Sequence, residues 1–219
     1  MIYNCNARHY LFNPKIFSML QKVSKANVKA INNILQSTAA LGQKLGVNNI
    51  QQNRYMRDCS IGAIVGVDKM NLNLHGWDGV FKNGVPFENK NIKATCKTGV
   101  SFSVKFQDTS LTKLAELKEG VIVTNSFWGD DGKPAFILLG NTRNIGDYLE
   151  ESYNPDSRRS STVSMSRCIN RGFKLIAGSY TPQQVIDTIT AKFPRLGNSL
   201  KPTDIYREKD AISLVGMMM

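Results

Sequence analysis

The residues whose types and spacing could do chemistry are gathered in Gly76-Trp77-Asp78-Gly79-Val80-Phe81-Lys82-Asn83-Gly84-Val85-Pro86-Phe87-Glu88-Asn89-Lys90. An aspartate stands on one apolar run, a tight turn follows, and Glu-x-Lys stands on the next run. Asn83-Gly84 is a strong hairpin signal. A two-residue loop of Asn83 and Gly84 pairs Asp78 with Asn89 and turns Glu88 to the other face. A three-residue loop of Lys82, Asn83 and Gly84, with the glycine left-handed, pairs Phe81 with Val85, Val80 with Pro86 and Gly79 with Phe87. It sets Asp78 opposite Glu88, with Cβ atoms about 5 Å apart. Glu88 and Lys90 share a face in either case, because strand side chains alternate. Pro86 cannot donate to a ladder, so a bulge or an edge position is required. Both registers stand open on the sequence.

Two converging carboxylates offer hard oxygen ligands to a magnesium ion. Such an ion polarises a phosphate and lowers the pKa of a water. The Lys90 ammonium would hold that water and steady charge on the phosphoryl oxygens, and the Asn89 carbonyl is a further ligand candidate. The competing account is a solvated strand face carrying ordinary ion pairs. An aspartate one hairpin upstream, between apolar strands in a strongly basic chain, favours the catalytic account.

The elements that must position this trio fall into two parts without a clear linker. About residues 1–70 read as a helical lobe. Ile16, Phe17, Leu20, Val23, Val28, Ile31, Ile34 and Leu35 recur at helical spacing, with Pro14 in a first turn and Gly42 and Gly46 as punctuation. A second helix is predicted over about Ile50 to Val65. About residues 71–219 read as a sheet core with DNA-contacting loops, the whole chain forming one domain. Strands are predicted at Trp77–Lys82, Val85–Thr95, Val100–Phe106, Val121–Phe127 and Ala135–Leu139, with a helix over about Ser110–Lys118. A pair of strands, Ser161–Cys168 and Phe173–Ala177, precedes a helix capped by Thr181 with Pro182 in its first turn. The fold class is α/β (α+β): a central mixed sheet of four or five strands flanked by helices.

Lys and Arg number 28 against 17 acidic residues, a formal charge of +11. Such an excess favours a polyanionic partner, and a DNA backbone suits it. Arg158, Arg159, Arg167, Arg171 and Lys174 lie in a Ser- and Thr-rich stretch. A loop there, leading into a two-stranded ribbon, could enter a DNA groove and read bases; a solvated loop is the plain alternative. The Asn- and Gln-rich stretch near Asn48–Asn53 is a weaker candidate of the same kind. The four cysteines have no zinc or redox spacing and read as thiols of a reducing compartment. No signal-peptide or membrane-span pattern is seen, which makes the cytoplasm the default. His9 and His75 suggest no metal site, and no nucleotide-binding loop or nucleophile motif is present.

Asp78 followed by Glu88-Asn89-Lys90 resembles the PD-(D/E)XK nuclease signature. Gly-Trp-Asp-Gly followed by Phe-Glu-Asn-Lys-Asn is similar to that motif in type II restriction endonucleases and some phage nucleases. The likeness covers about residues 58–107, with Trp77 where the family usually has proline. It implies a mixed sheet flanked by helices, Asp78, Glu88 and Lys90 as catalytic residues, and magnesium as cofactor. It also implies a further acidic residue on a preceding helix, for which Asp58 is the better candidate and Asp68 the weaker. The expectation is site-specific hydrolysis of double-stranded DNA by a homodimer. Three rivals remain: a nuclease without a short sequence rule, a non-catalytic nucleic-acid-binding module, and a packaging protein of a phage or ribosome-like particle.

Overall fold

The structure is a computed structural model that describes residues 20–22, 24–44, 54–71, 76–95, 102–156 and 160–219. The Val-, Ile- and Phe-rich runs form a central sheet in the order β1 (Leu20–Gln21), β2 (Lys69–Asn71), β3 (Gly79–Val80), β4 (Pro86–Lys93), β6 (Ile122–Trp128), β7 (Pro134–Asn141), β9 (Lys174–Ala177), β10 (Ile205–Arg207). β5 (Ser103–Phe106) and β8 (Ser161–Ser164) make a separate antiparallel pair. The main sheet is mixed: β4 runs parallel to β6 and β9 to β10, and the other neighbours are antiparallel. Among the described residues it has eight strands, rather than the expected four or five.

Helices α1 (Lys25–Lys44), α2 (Arg54–Val65), α3 (Leu111–Glu119), α4 (Gly146–Glu151), α5 (Met165–Asn170), α6 (Pro182–Thr190), α7 (Pro194–Gly197) and α8 (Ala211–Met218) complete the described fold. Alternation along the strands divides the core. Phe87, Ile122, Ile137, Leu139 and Ile176 face Leu35 of α1, Cys59, Ile61 and Val65 of α2, and Leu214 and Val215 of α8. Val123, Phe127, Phe136, Leu138 and Leu175 face Leu114 and Leu117 of α3, the α6 residues Val185, Ile186 and Ile189, and the small sheet. The protein is thus mixed α/β, with helices on both faces. Helix α2 shares a core with the sheet, which is how it delivers side chains to β4. Helix α3 lies in the crossover that the parallel β4–β6 pair requires.

Local sequence explains most boundaries. Ser110 caps α3 by accepting from the Lys113 N–H. Thr181 and Gln184 form a reciprocal capping box on α6, with Pro182 in the first turn. Four expectations need correction. Leu20, read at helical spacing, lies instead in β1, where it pairs with Asn71. The segment Ser161–Cys168 is not one strand: β8 stops at Ser164, whose side chain accepts from the Arg167 N–H and starts α5. Nor do β8 and β9 form a ribbon, since β8 pairs with β5 while β9 lies between β7 and β10. Gly42, read as a break, lies inside α1. Pro14, Ile16 and Phe17 lie outside the described residues.

Candidate active site

The β3–β4 hairpin sets the geometry. The Phe81 N–H donates to the Val85 carbonyl at 3.0 Å and the Gly84 N–H to the Phe81 carbonyl at 2.9 Å. Gly84 has φ +85°, a conformation glycine adopts without a Cβ penalty. Val80 pairs with Pro86 and Gly79 with Phe87, so the turn has the three-residue register. One further step would bring Asp78 against Glu88, but β3 ends first. The Asp78 carbonyl instead accepts from the Asn71 N–H at 2.8 Å, and its Oδ2 accepts from the Asn89 N–H at 2.7 Å. The carboxylate thus satisfies a β4 donor that a longer β3 would have bonded through its backbone. A Cβ on Gly79 would stand 2.8 Å from the Lys69 carbonyl oxygen, so the residue after Asp78 must be small.

The site straddles this edge of β4. Glu88 and Lys90 point to the face of α3 and β5, and Lys90 Nζ bonds Glu88 Oε1. Lys90 Nζ also lies 5.6 Å from the centre of the Phe106 ring. The second Glu88 oxygen, Oε2, is buried with no hydrogen-bond partner. On the opposite face, Asp58 of α2 sits against the polar residues of β4. Its Oδ1 accepts from Asn89 Nδ2 and Asn91 Nδ2, each at 2.7 Å. Asn89 Oδ1 accepts from the Thr124 hydroxyl at 2.8 Å. Asn91 Oδ1 accepts from Trp128 Nε1 at 2.9 Å. Arg54, one helical turn before Asp58, bridges the two parts: its Nε is 3.5 Å from Asp58 Oδ2 and its Nη2 is 3.1 Å from Asp78 Oδ1.

Three acidic groups are buried here: Asp58 is 3%, Asp78 8% and Glu88 3% exposed. Burial, then the charges of Glu88 and Asp58, push the Asp78 carboxyl up to about 7. Burial also raises Asp58, against the lowering effect of its two asparagine donors and Arg54. Burial works to lower the Arg54 guanidinium, but the charges of Asp78, Asp58 and Glu88 outweigh it and raise it.

These residues fit a magnesium ion on two observations: the orphaned Glu88 Oε2, and the strain of placing like charges together away from water. Among the described residues no three or more His, Cys, Asp or Glu side chains form a metal cage. Magnesium suits such a sparse set, since it keeps several waters and takes substrate oxygens. The Asn89 side chain is committed to Asp58, Asn91 and Thr124, so only its main-chain carbonyl remains as a ligand candidate.

The structure brings Asp78, Glu88, Asn89 and Lys90 together and adds Asp58 from the preceding helix. Asp68 lies elsewhere, 3.6 Å from Lys22. Arg158 and Arg159 lie outside the described residues, as do His9, His75 and Asn48–Asn53. Arg167 pairs with Glu151 at 3.4 Å and Arg171 with Asp147 at 2.7 Å. Both guanidinium groups lie over the Tyr148 ring, at 4.6 and 4.8 Å. Lys174 is on β9, alternating with the core residue Leu175 and 5.9 Å from the Tyr206 ring. These three do not form one ribbon surface.

Two residues escaped the sequence reading. Arg54 precedes Asp58 by four positions on α2, a spacing that already implied contact. Asn125 pairs in register with Lys90 and is wholly buried. Its Nδ2 donates to the Ser103 carbonyl at 3.0 Å, while its Oδ1 has no partner. The polar triplet Thr124-Asn125-Ser126 inside a fully buried strand was its legible signal. No protein-family model matches the chain, and no curated protein matches it.

Proposed function

We propose that the protein is a magnesium-dependent endonuclease that hydrolyses phosphodiester bonds of double-stranded DNA. One observation supports the reading: the Asp78 carboxylate is held against β4 by the Asn89 N–H, between Glu88 and Lys90, and Glu88 keeps a buried oxygen with no hydrogen-bond partner. When bound, magnesium would supply a Lewis acid for the phosphate and make a bound water more acidic. Asp78 and Glu88 would hold the ion. The Lys90 side chain, 28% exposed beside the buried Glu88, donates to the attacking water and to the non-bridging oxygens as charge grows on them. Water adds to phosphorus and gives up a proton to solvent, the bond to the leaving oxygen breaks, and that oxygen takes a proton from solvent. The polar network under β4 keeps Asn89, and so the strand between Glu88 and Lys90, in place.

The formal charge of +11 supports a polyanionic substrate. The fuller form of the proposal is a cytoplasmic homodimer cutting a specific site, since two-fold symmetry lets one centre act on each strand of a palindrome. Among the described residues no helix is long and apolar enough to cross a membrane. A nuclease without a short sequence rule is the second reading. It is favoured by the internal pairing of Arg167 and Arg171 and by the missing β8–β9 ribbon.

The test is incubation with plasmid and phage DNA, in magnesium and in EDTA, beside Glu88→Ala and Lys90→Ala. Discrete magnesium-dependent fragments, lost in both variants, are expected. A smear or nicked circle with the same dependence selects the second reading. No cleavage across a broad panel, with DNA binding unchanged in the variants, leaves a binding or packaging protein.

A further inference from the structure

We propose that Arg54 is the resident counter-cation of the carboxylate site, a side chain that gives up Asp78 to the metal and passes to a substrate phosphate. The proposal rests on the nuclease reading above and says how that same site is regulated.

Arg54 is the first residue of α2. Its partners account for the placement: Nε against Asp58 Oδ2 at 3.5 Å and Nη2 against Asp78 Oδ1 at 3.1 Å. The contact falls on a particular oxygen. Asp78 Oδ2 is committed to the Asn89 N–H, so Oδ1 is the oxygen left for a metal, and Arg54 occupies it. The two cations therefore compete for one atom.

The partners differ in freedom. The Arg54 side chain is 54% exposed, against 4% for Asp58 and 10% for Asp78. The carboxylates cannot leave, whereas the guanidinium can. Asp58 Oδ1 is held by Asn89 and Asn91, which leaves Oδ2 as a pivot for Nε while Nη2 swings away. A guanidinium released at the edge of a metal site matches a phosphate in shape and charge. Metal and DNA would then assist each other's binding, each removing a cost of the other. Without either, Arg54 neutralises part of a buried cluster of negative charge.

The test uses the full-length protein and calcium, a hard cation of the same ligand preference. Calcium affinity is measured by calorimetry without DNA for wild type, Arg54→Met, Arg54→Lys and Glu88→Gln. Affinity for a short labelled duplex is then measured by anisotropy in saturating calcium. Arg54→Met is expected to tighten calcium roughly tenfold, the order expected for removing a partly screened neighbouring charge, and to weaken duplex binding by a similar factor. Arg54→Lys should fall between it and wild type. Calcium affinity unchanged or reduced in Arg54→Met overturns the proposal, as does unchanged duplex affinity. Glu88→Gln separates the two levels. If it weakens calcium while Arg54→Met does not tighten it, only the Arg54 proposal falls. If it leaves calcium binding untouched, the metal centre itself falls.

Discussion

Burial beside Glu88 and Asp58 raises the Asp78 carboxyl from 3.8 to about 7, and a group so shifted ties folding to pH. In the unfolded chain its proton leaves near 3.8, whereas the folded, metal-free protein keeps it to about 7. Between these values the folded state binds more protons, so stability falls as pH rises through the window and levels off above it. A shift of this size corresponds to a few kcal/mol at most, on the order of 1.4 per unit. In EDTA, the melting temperature should therefore drop between pH 4.5 and pH 8, and Asp78→Asn should remove most of the drop. A slope unchanged in Asp78→Asn would move the effect to Asp58, which burial raises in the same sense. Asp58 itself should matter to stability more than to chemistry. Asp58→Ala strips the acceptor from the part-buried Asn91 Nδ2 and leaves the buried Asn89 Nδ2 only Asn91 Oδ1, at 3.1 Å, and an unpaired buried donor costs about 1–3 kcal/mol. Urea unfolding should show a loss of about 1–3 kcal/mol on that basis, and no loss would mean that water replaces the carboxylate.

At the scale of elements, the hairpin turns local sequence into site geometry, and two glycines separate its functions. Gly84 has φ +85°, with nothing within 4 Å of an added Cβ. Gly84→Ala should cost only about 1–2 kcal/mol of backbone strain and spare cleavage, because the register survives. Gly79→Ala drives a Cβ to 2.8 Å from the Lys69 carbonyl oxygen and to 2.8 Å from Val67 Cγ1. It should pry β2 from β3, shift Asp78 and lower cleavage more than Gly84→Ala does; parallel melts and cleavage assays of the two variants compare them. Equal loss in both would mean that the register does not position Asp78. The hairpin was legible because a short-range rule governs it: Asn83-Gly84 demands a turn and Pro86 restricts the pairing. The Thr181 cap was legible for the same reason. The boundary at Ser164 was not, because the six residues of α5 are too few for periodicity to distinguish a helix from a strand. β10 and α8 were missed because Ile205–Arg207 is short and gains its pairing only from β9, more than 25 residues away in sequence. Asp58 was a named candidate, but its clasp on Asn89 and Asn91 depends on α2 packing over β4, which no local pattern encodes.

At the scale of the whole molecule, the +11 charge bears on DNA binding through its distribution. Each cation that meets a phosphate releases counterions and adds about −0.9 to the slope of log affinity against log salt. Arg167 and Arg171 looked like readers of DNA in the sequence. In the fold each has an acidic neighbour, Glu151 or Asp147, and both lie over the ring of Tyr148. Exposed ion pairs are weak, about 0–1 kcal/mol, so DNA could recruit these arginines only by also leaving Glu151 and Asp147 near its phosphates. That added repulsion disfavours recruitment. Replacing both with alanine should therefore change the salt slope by less than about 0.5, whereas Arg54→Met should flatten it by about 0.9, the loss of one phosphate contact. Fluorescence anisotropy over a salt series, in calcium and with one duplex, measures both. A change near 2 for the double variant would mean that Arg167 and Arg171 do leave their partners for the backbone. DNA would then lie along the α4–α5 surface as well as the β4 edge, and the segment carrying Arg158 and Arg159 would regain its claim to sequence recognition.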